Sequence, residues 1–230
     1  MRSSDLRRER EARRREGYRD VILHAAERVI LRKGFGAMTM DDVAREAQLS
    51  KATIYKYVRG KGVLLYEIMG HYFDDLGGRI AAIADGPGPA GEKLGRVVHV
   101  ILQSGEEMKS ISRVLWMDKA MLRLMRVFAP VPGKAGAVPP ADRKMMAALR
   151  LKRQALIDLG ARILAEGVAS GEFRRLETAG AADFIESVLQ GYMHVRFWQG
   201  ESPLPATAAA DLTRFIIEGI RTPEHSGKEI

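Results

Sequence analysis

The stretch SKATIYKYVRGK, Ser50 to Lys61, decides how the chain is read. It sets two tyrosines and four cations on about three turns of would-be helix, and no Asp or Glu occurs from Ala47 through Tyr66. The chain holds 29 Asp and Glu in 230 residues, so this acid-free window is a local feature and not a reflection of composition. Ser50 stands as an N-cap, and Ile54 and Val58, four apart, point inward with Leu49. Lys51, Thr53, Tyr55, Lys56 and Tyr57 are left on the outward faces. Carboxylates are missing there because they would face a polyanion.

The residues upstream supply the rest of a unit. In YRDVILHAAERVILRKGFG, apolar Val21, Ile22, Ala25, Val29 and Ile30 recur at three- and four-residue spacing, and Gly34 is a stop. This predicts a first helix over residues 18–33. Thr39 then caps a short second helix, with Asp41 and Asp42 at its positive end, which closes near Ala47. Gln48-Leu49 is a turn. Two short capped helices joined by a tight turn form a helix-turn-helix, whose second helix enters the major groove of DNA.

Composition narrows the alternatives. With 46% hydrophobic residues the chain can build a core, and with no cysteine it has no disulfide scaffold, thiol nucleophile or thiolate metal site. Residues 1–70 carry 16 Lys and Arg against 10 Asp and Glu, so most of the formal net charge of +8 belongs to the front end. The opening MRSSDLRREREARRREG has seven arginines and no apolar run that could serve as a signal peptide, and no later segment is long and apolar enough to span a membrane. A cytoplasmic protein without membrane attachment is expected. Its arginines could follow a minor groove or a phosphate track, or make no contact, and the sequence leaves this open.

The stretch AAERVILRKGFGAMTMDDVAREAQLSKATIYKYVRGKGVLLYEI resembles the DNA-binding domain of TetR/AcrR-family transcriptional regulators. The likeness runs from Tyr18 to Tyr72. It lies in an Ala-rich first helix, the turn Gly34-Phe35, the pair Val43-Ala44 in a Thr-initiated second helix, and the run from Ser50 to Lys61. Gln48 stands where the family most often has a turn glycine, and Gly62 follows Lys61 where an acid is commoner. The resemblance implies that Thr39 touches phosphate, that Tyr55, Tyr57 and Lys61 clamp the DNA backbone, and that Lys51, Thr53 and Lys56 reach base edges. For Tyr55 the competing reading is an aromatic packed on the first helix. For the lysines it is an ordinary solvated face.

Beyond Gly62 the patterns stay helical. A connector runs through LLYEIMGHYFDDLGGRIAAIA, and further helices are expected at about residues 92–103, 106–127, 141–169, 178–199 and 206–221, separated by the Pro/Gly loops DGPGPAG and APVPGKAGAVPP. The expected fold is all-α: a basic flexible arm (1–17), a three-helix DNA-binding domain (18–62), a helical effector-binding and dimerisation domain (63–221) and a flexible tail (222–230). By the resemblance, the last two long helices form a homodimer interface that reads an inverted-repeat operator in double-stranded DNA. Trp116, Met117, Met121, Met125, Met145 and Met146 could line a pocket for a small apolar effector or simply fill a core. No cofactor or metal is implied, because the histidines are scattered, Glu67 and His71 form only one four-residue pair, and no catalytic motif is present. A repressor is the function expected. The alternative is an architectural, nucleoid-associated DNA-binding protein with no effector.

Overall fold

Apolar residues at helical spacing fold into eight α-helices among the residues that the computed structural model describes, 3–108, 140–199 and 207–222. These are α1 (Ser3–Ala37), α2 (Met40–Glu46), α3 (Lys51–Tyr57), α4 (Lys61–Asp85), α5 (Ala90–Glu107), α6 (Pro140–Ala169), α7 (Thr178–Gln199) and α8 (Ala208–Ile220). Among the described residues there is no strand, only one isolated antiparallel bridge between Phe173 and Arg221. No helix of the described residues is long and apolar enough to cross a membrane.

The described residues divide into two units. The first contains the chain up to Tyr72 and the start of α6 as far as Arg150. Its core takes Ile22, Leu23, Ala25, Ala26, Val29 and Ile30 from α1, Val43 and Ala44 from α2, Ile54 from α3 with Val58 at its C-cap, and Leu64, Leu65 and Ile68 from α4. The inward stripe of α1 is therefore shifted from the one expected, since Val21 is 46% exposed and Leu23 and Ala26 are buried. The unit boundary falls between Tyr72 and Phe73, inside α4, the helix whose first turn also holds the expected domain boundary after Gly62.

The first helix is also longer than expected. The residues read as a flexible arm are helical from Ser3, because Arg, Glu and Ala are strong helix formers and Glu9 and Arg13 pair one turn apart at 2.6 Å. Gly17, taken as a boundary, costs a helix interior only about 1 kcal/mol and is absorbed. At the other end Gly34 adopts φ 82°, ψ 157°, a conformation open to glycine, so regular helix breaks where the sequence placed the stop and one further turn follows to Ala37.

The second unit comprises α4 from Phe73, α5, α6 from Leu151, α7 and α8. α5 packs against both α7 and α8. Phe73, Leu76 and Ile80 of α4 are buried, as are Leu94, Val97, Val98 and Leu102 of α5, Ile163 and Leu164 of α6, and Leu189 of α7. α5 follows Pro89, which offers no side-chain cap, so its free N–H groups are met from elsewhere. Glu172 supplies both acceptors, taking the amides of Ala90 and Gly91 at 2.9 Å each. The adjacent Phe173 lies so close to α6 that a Cβ on Gly167 would fall 2.1 Å from its ring. Lys93, buried on α5, is neutralised by Glu166 at 2.6 Å and also donates to the carbonyl of Ala84.

Candidate nucleic-acid interface

α2 is fixed before it can present anything. The amide of Asp42 donates to the Thr39 hydroxyl at 3.2 Å, while the amide and hydroxyl of Thr39 both donate to the Asp42 carboxylate, a reciprocal capping box. Lys33 of α1 pairs with the same carboxylate. The hydrogen bond from Lys33, followed by those from Thr39, holds the Asp42 carboxyl well below the usual carboxylate range. Glu46, at the far end of α2, receives Arg28 at 2.7 Å and Arg32 at 3.0 Å, which lower its pKa in that order. Both ends of α2 are thus tied to α1 by charge.

The turn that follows has a fixed shape. Gln48 takes φ 55°, making it the one non-glycine residue in the left-handed region among those described. The amide of Leu49 bonds back to the carbonyl of Ala44 at 2.9 Å, satisfying the end of α2. The glycine expected at this position by resemblance is replaced, but its backbone conformation is kept. Ser50 then caps α3 by accepting the amide of Thr53 at 3.0 Å.

On α3, Lys51, Tyr55 and Lys56 face solvent and Ile54 is buried, as the periodicity requires. Tyr55 is 46% exposed, so it is not the aromatic that packs on the first helix. Tyr57 plays that part, its ring stacked on Tyr18 of α1 with centroids 4.9 Å apart and planes 13° from parallel. Thr53 is half-buried, and its hydroxyl is shared with that of Ser50 at 2.8 Å. Lys51 is paired across the turn with Asp41 at 2.7 Å. Lys61 does not stand free either: its ammonium donates to the Gly36 carbonyl at 2.7 Å and lies 4.6 Å from the centre of the Phe35 ring. In this conformation Lys61 closes the link from α1 to α2.

The structure therefore gathers Thr39, Lys51, Thr53, Tyr55, Lys56, Tyr57 and Lys61 within the first unit, and adds partners that the sequence reading missed: Asp41, Tyr18, Phe35 and Gly36. Of the residues read as a candidate effector pocket, Trp116, Met117, Met121 and Met125 lie outside the described residues. Met146 is buried on α6 and Met145 beside it is half-buried.

A capped helix, a left-handed turn and a second capped helix with an exposed cationic and aromatic face make up a helix-turn-helix, a motif that docks its second helix in the major groove of DNA. Comparison with known proteins finds the same motif elsewhere. The sequence pattern of bacterial regulatory proteins of the tetR family matches residues 22–68. The HTH-type transcriptional regulator YdeS of Bacillus subtilis (strain 168) is 44% identical over 54 residues, which cover 24% of this chain and 27% of that protein. The HTH-type transcriptional regulator BetI of Agrobacterium fabrum (strain C58) is 38% identical over 89 residues, covering 38% of this chain and 43% of that one. The matched region thus spans less than half the length of either relative. Among solved structures, the fatty acid degradation regulator FadR from Bacillus halodurans superposes with a TM-score of 0.64 at 18% identity, over 88% of this chain and 95% of that one. A TetR/AcrR-family regulator from Thermobifida fusca gives 0.62 at 24% identity, over 89% and 98%. Residues 22–68 therefore resemble the DNA-binding region of the tetR family, and the fold is shared with these solved structures.

Proposed function

We propose that this regulator is a homodimeric repressor that binds an inverted-repeat operator through α3 and leaves it when a small apolar effector binds. The observation that carries the reading is the outward face of α3, where Lys51, Tyr55 and Lys56 are exposed within a window free of acids. Lysine is suited to guanine O6 and N7, and the Thr53 methyl to the thymine methyl. Tyr55 would lie along the sugar-phosphate backbone.

Pairing of two chains is supported by the C-terminal helices. Phe184 and Val195, three turns apart on one side of α7, are 70% and 53% exposed, and Phe215 of α8 is 71% exposed. Large apolar groups left in water on two helices that both pack against α5 favour a two-fold contact that buries them. An apolar effector is supported by the methionine-rich middle of the chain, whose thioethers adapt to varied shapes. FadR from Bacillus halodurans is by name a fatty acid degradation regulator, and fatty acids are the first compounds to try.

The reading is tested by mapping the genomic sites that the protein occupies and then titrating operator-bound protein with fatty acids. A few inverted repeats, released by one compound, are expected. Many scattered sites unaffected by any small molecule would instead indicate an architectural protein. Release by a hundredfold requires about 2.7 kcal/mol of coupling, and operator DNA must weaken effector binding by the same factor.

A further inference from the structure

The basic helical extension of α1 and the recognition helix enclose a groove of about 480 Å³ lined by Arg7, Arg10, Glu11, Arg14, Arg15, Lys56 and Tyr57. Five cations face one acid. Arg7, Arg10 or Glu11, Arg14 or Arg15, and Tyr18 follow one another at three- and four-residue steps, which places them on one stripe of α1. The stripe is held to α3 by aromatic contacts. Arg14 lies 5.7 Å from the centre of the Tyr18 ring, Tyr18 stacks on Tyr57, and Lys56 lies 5.7 Å from the centre of the Tyr57 ring.

Several neighbouring cations have a carboxylate partner, and these do not. Arg13, Arg19, Arg28, Arg32, Lys33 and Lys51 are each paired with an acid. Arg7, Arg10, Arg14, Arg15 and Lys56 form no ion pair with any described residue, so among the described residues their mutual repulsion is offset only by the nearby charge of Glu11. A bound polyanion would compensate it. The charges are also strung out, over about 12 Å from Arg7 to Arg15 at 1.5 Å per helical residue. A compact anion needs donors that converge, whereas a nucleic-acid strand offers a phosphate every 3.4 Å or so of duplex axis.

We infer that this groove is a second DNA-binding element, a phosphate track that takes the sugar-phosphate backbone beside the segment read by α3. The inference rests on the DNA-binding reading above and extends it to a surface outside the helix-turn-helix. The track adds affinity and salt dependence without sequence preference, because phosphate contacts carry no base information.

The test compares wild-type protein with Arg7→Gln/Arg10→Gln and with Arg7→Lys/Arg10→Lys. Glutamine and lysine have helix propensities close to that of arginine, so the extension stays helical in both variants. Binding is measured across salt concentrations on a random-sequence duplex and on a duplex enriched by the wild-type protein from a random pool. The glutamine variant is expected to flatten the slope of log K against log salt by about two units per bound chain on both duplexes. The ratio between the two affinities stays the same, and the lysine variant keeps the wild-type slope. An unchanged slope in the glutamine variant, or an equal loss in the lysine variant, overturns the track. Failure of the wild-type protein to enrich any duplex sinks the operator reading instead, while the slope on random duplex still decides the groove.

Discussion

Lys51, the first residue of α3, and Asp41, the second residue of α2, form an ion pair of 2.7 Å across the turn between the two helices. The pair holds an acid at the surface assigned to DNA and keeps a candidate base-reading ammonium occupied in the free protein. Replacing Asp41 by Asn frees Lys51 and removes a repulsive charge. The expected outcome is tighter binding to random-sequence duplex, with the salt slope steeper by about one unit per chain and a smaller preference for operator. Fluorescence anisotropy titrations at several salt concentrations check this. No change in either quantity would mean that Asp41 stays clear of the DNA.

Tyr57 and Tyr55 stand two residues apart and are given different work by their surroundings. Tyr57 is stacked on Tyr18, and aromatic pairs of this geometry contribute about 0.5–1.5 kcal/mol beyond the area they bury. A double-mutant cycle with Tyr18→Leu and Tyr57→Leu, read by urea denaturation, should return a coupling energy in that range. Tyr55→Leu should leave the midpoint almost unmoved and weaken DNA binding. A coupling energy near zero would remove the stack as the anchor of the N-terminal extension.

Gln48 occupies a left-handed conformation at φ 55°. Side chains with a Cβ carry a cost of about 1–2 kcal/mol there, partly offset by the larger entropy that glycine loses on folding. Gln48→Gly is therefore expected to stabilise the protein by up to about 1 kcal/mol. Gln48→Val should destabilise it, since a β-branched side chain tolerates this region least. Thermal unfolding of both variants against wild type decides the sign.

Asp42 links the α2 cap to Lys33, and its folded-state pKa lies below the unfolded one. The sign follows from that ordering. Its contribution is present at pH values above the ordinary carboxylate range and is lost as pH falls through that range toward the depressed folded value. Wild-type stability should accordingly decline on acidification more steeply than that of Asp42→Asn, which is less stable at neutral pH. Thr39→Ala, which removes the other half of the cap, should cost about 1 kcal/mol. Parallel stability curves for wild type and Asp42→Asn would contradict the account of the cap.

Much of this architecture is legible in the sequence because it rests on local signals. The caps at Thr39 and Ser50, the inward pair Ile54 and Val58, and the break at Gly34 all depend on residues within a turn or two of one another. The helices at 141–169 and 178–199 were readable from periodicity for the same reason. What escaped was set by contacts distant in sequence. Nothing near Lys61 indicates that its ammonium will sit on Gly36 and Phe35, and nothing near Glu172 that it will cap α5. The helical extension could have been found. Arg7, Arg10, Arg14 and Tyr18 already share one face if the helix is carried back through Gly17, but the density of charge there suggested a solvated arm.

The central claim, that α3 reads base sequence, is tested most directly by measuring affinity of wild-type protein and Lys51→Ala on a duplex enriched by the wild type and on random duplex of the same length. The account predicts that wild-type protein prefers the enriched duplex and that Lys51→Ala loses about 1–3 kcal/mol of that preference, with little change on random DNA. Equal affinity of the wild-type protein for both duplexes, or an undiminished preference in Lys51→Ala, would contradict it.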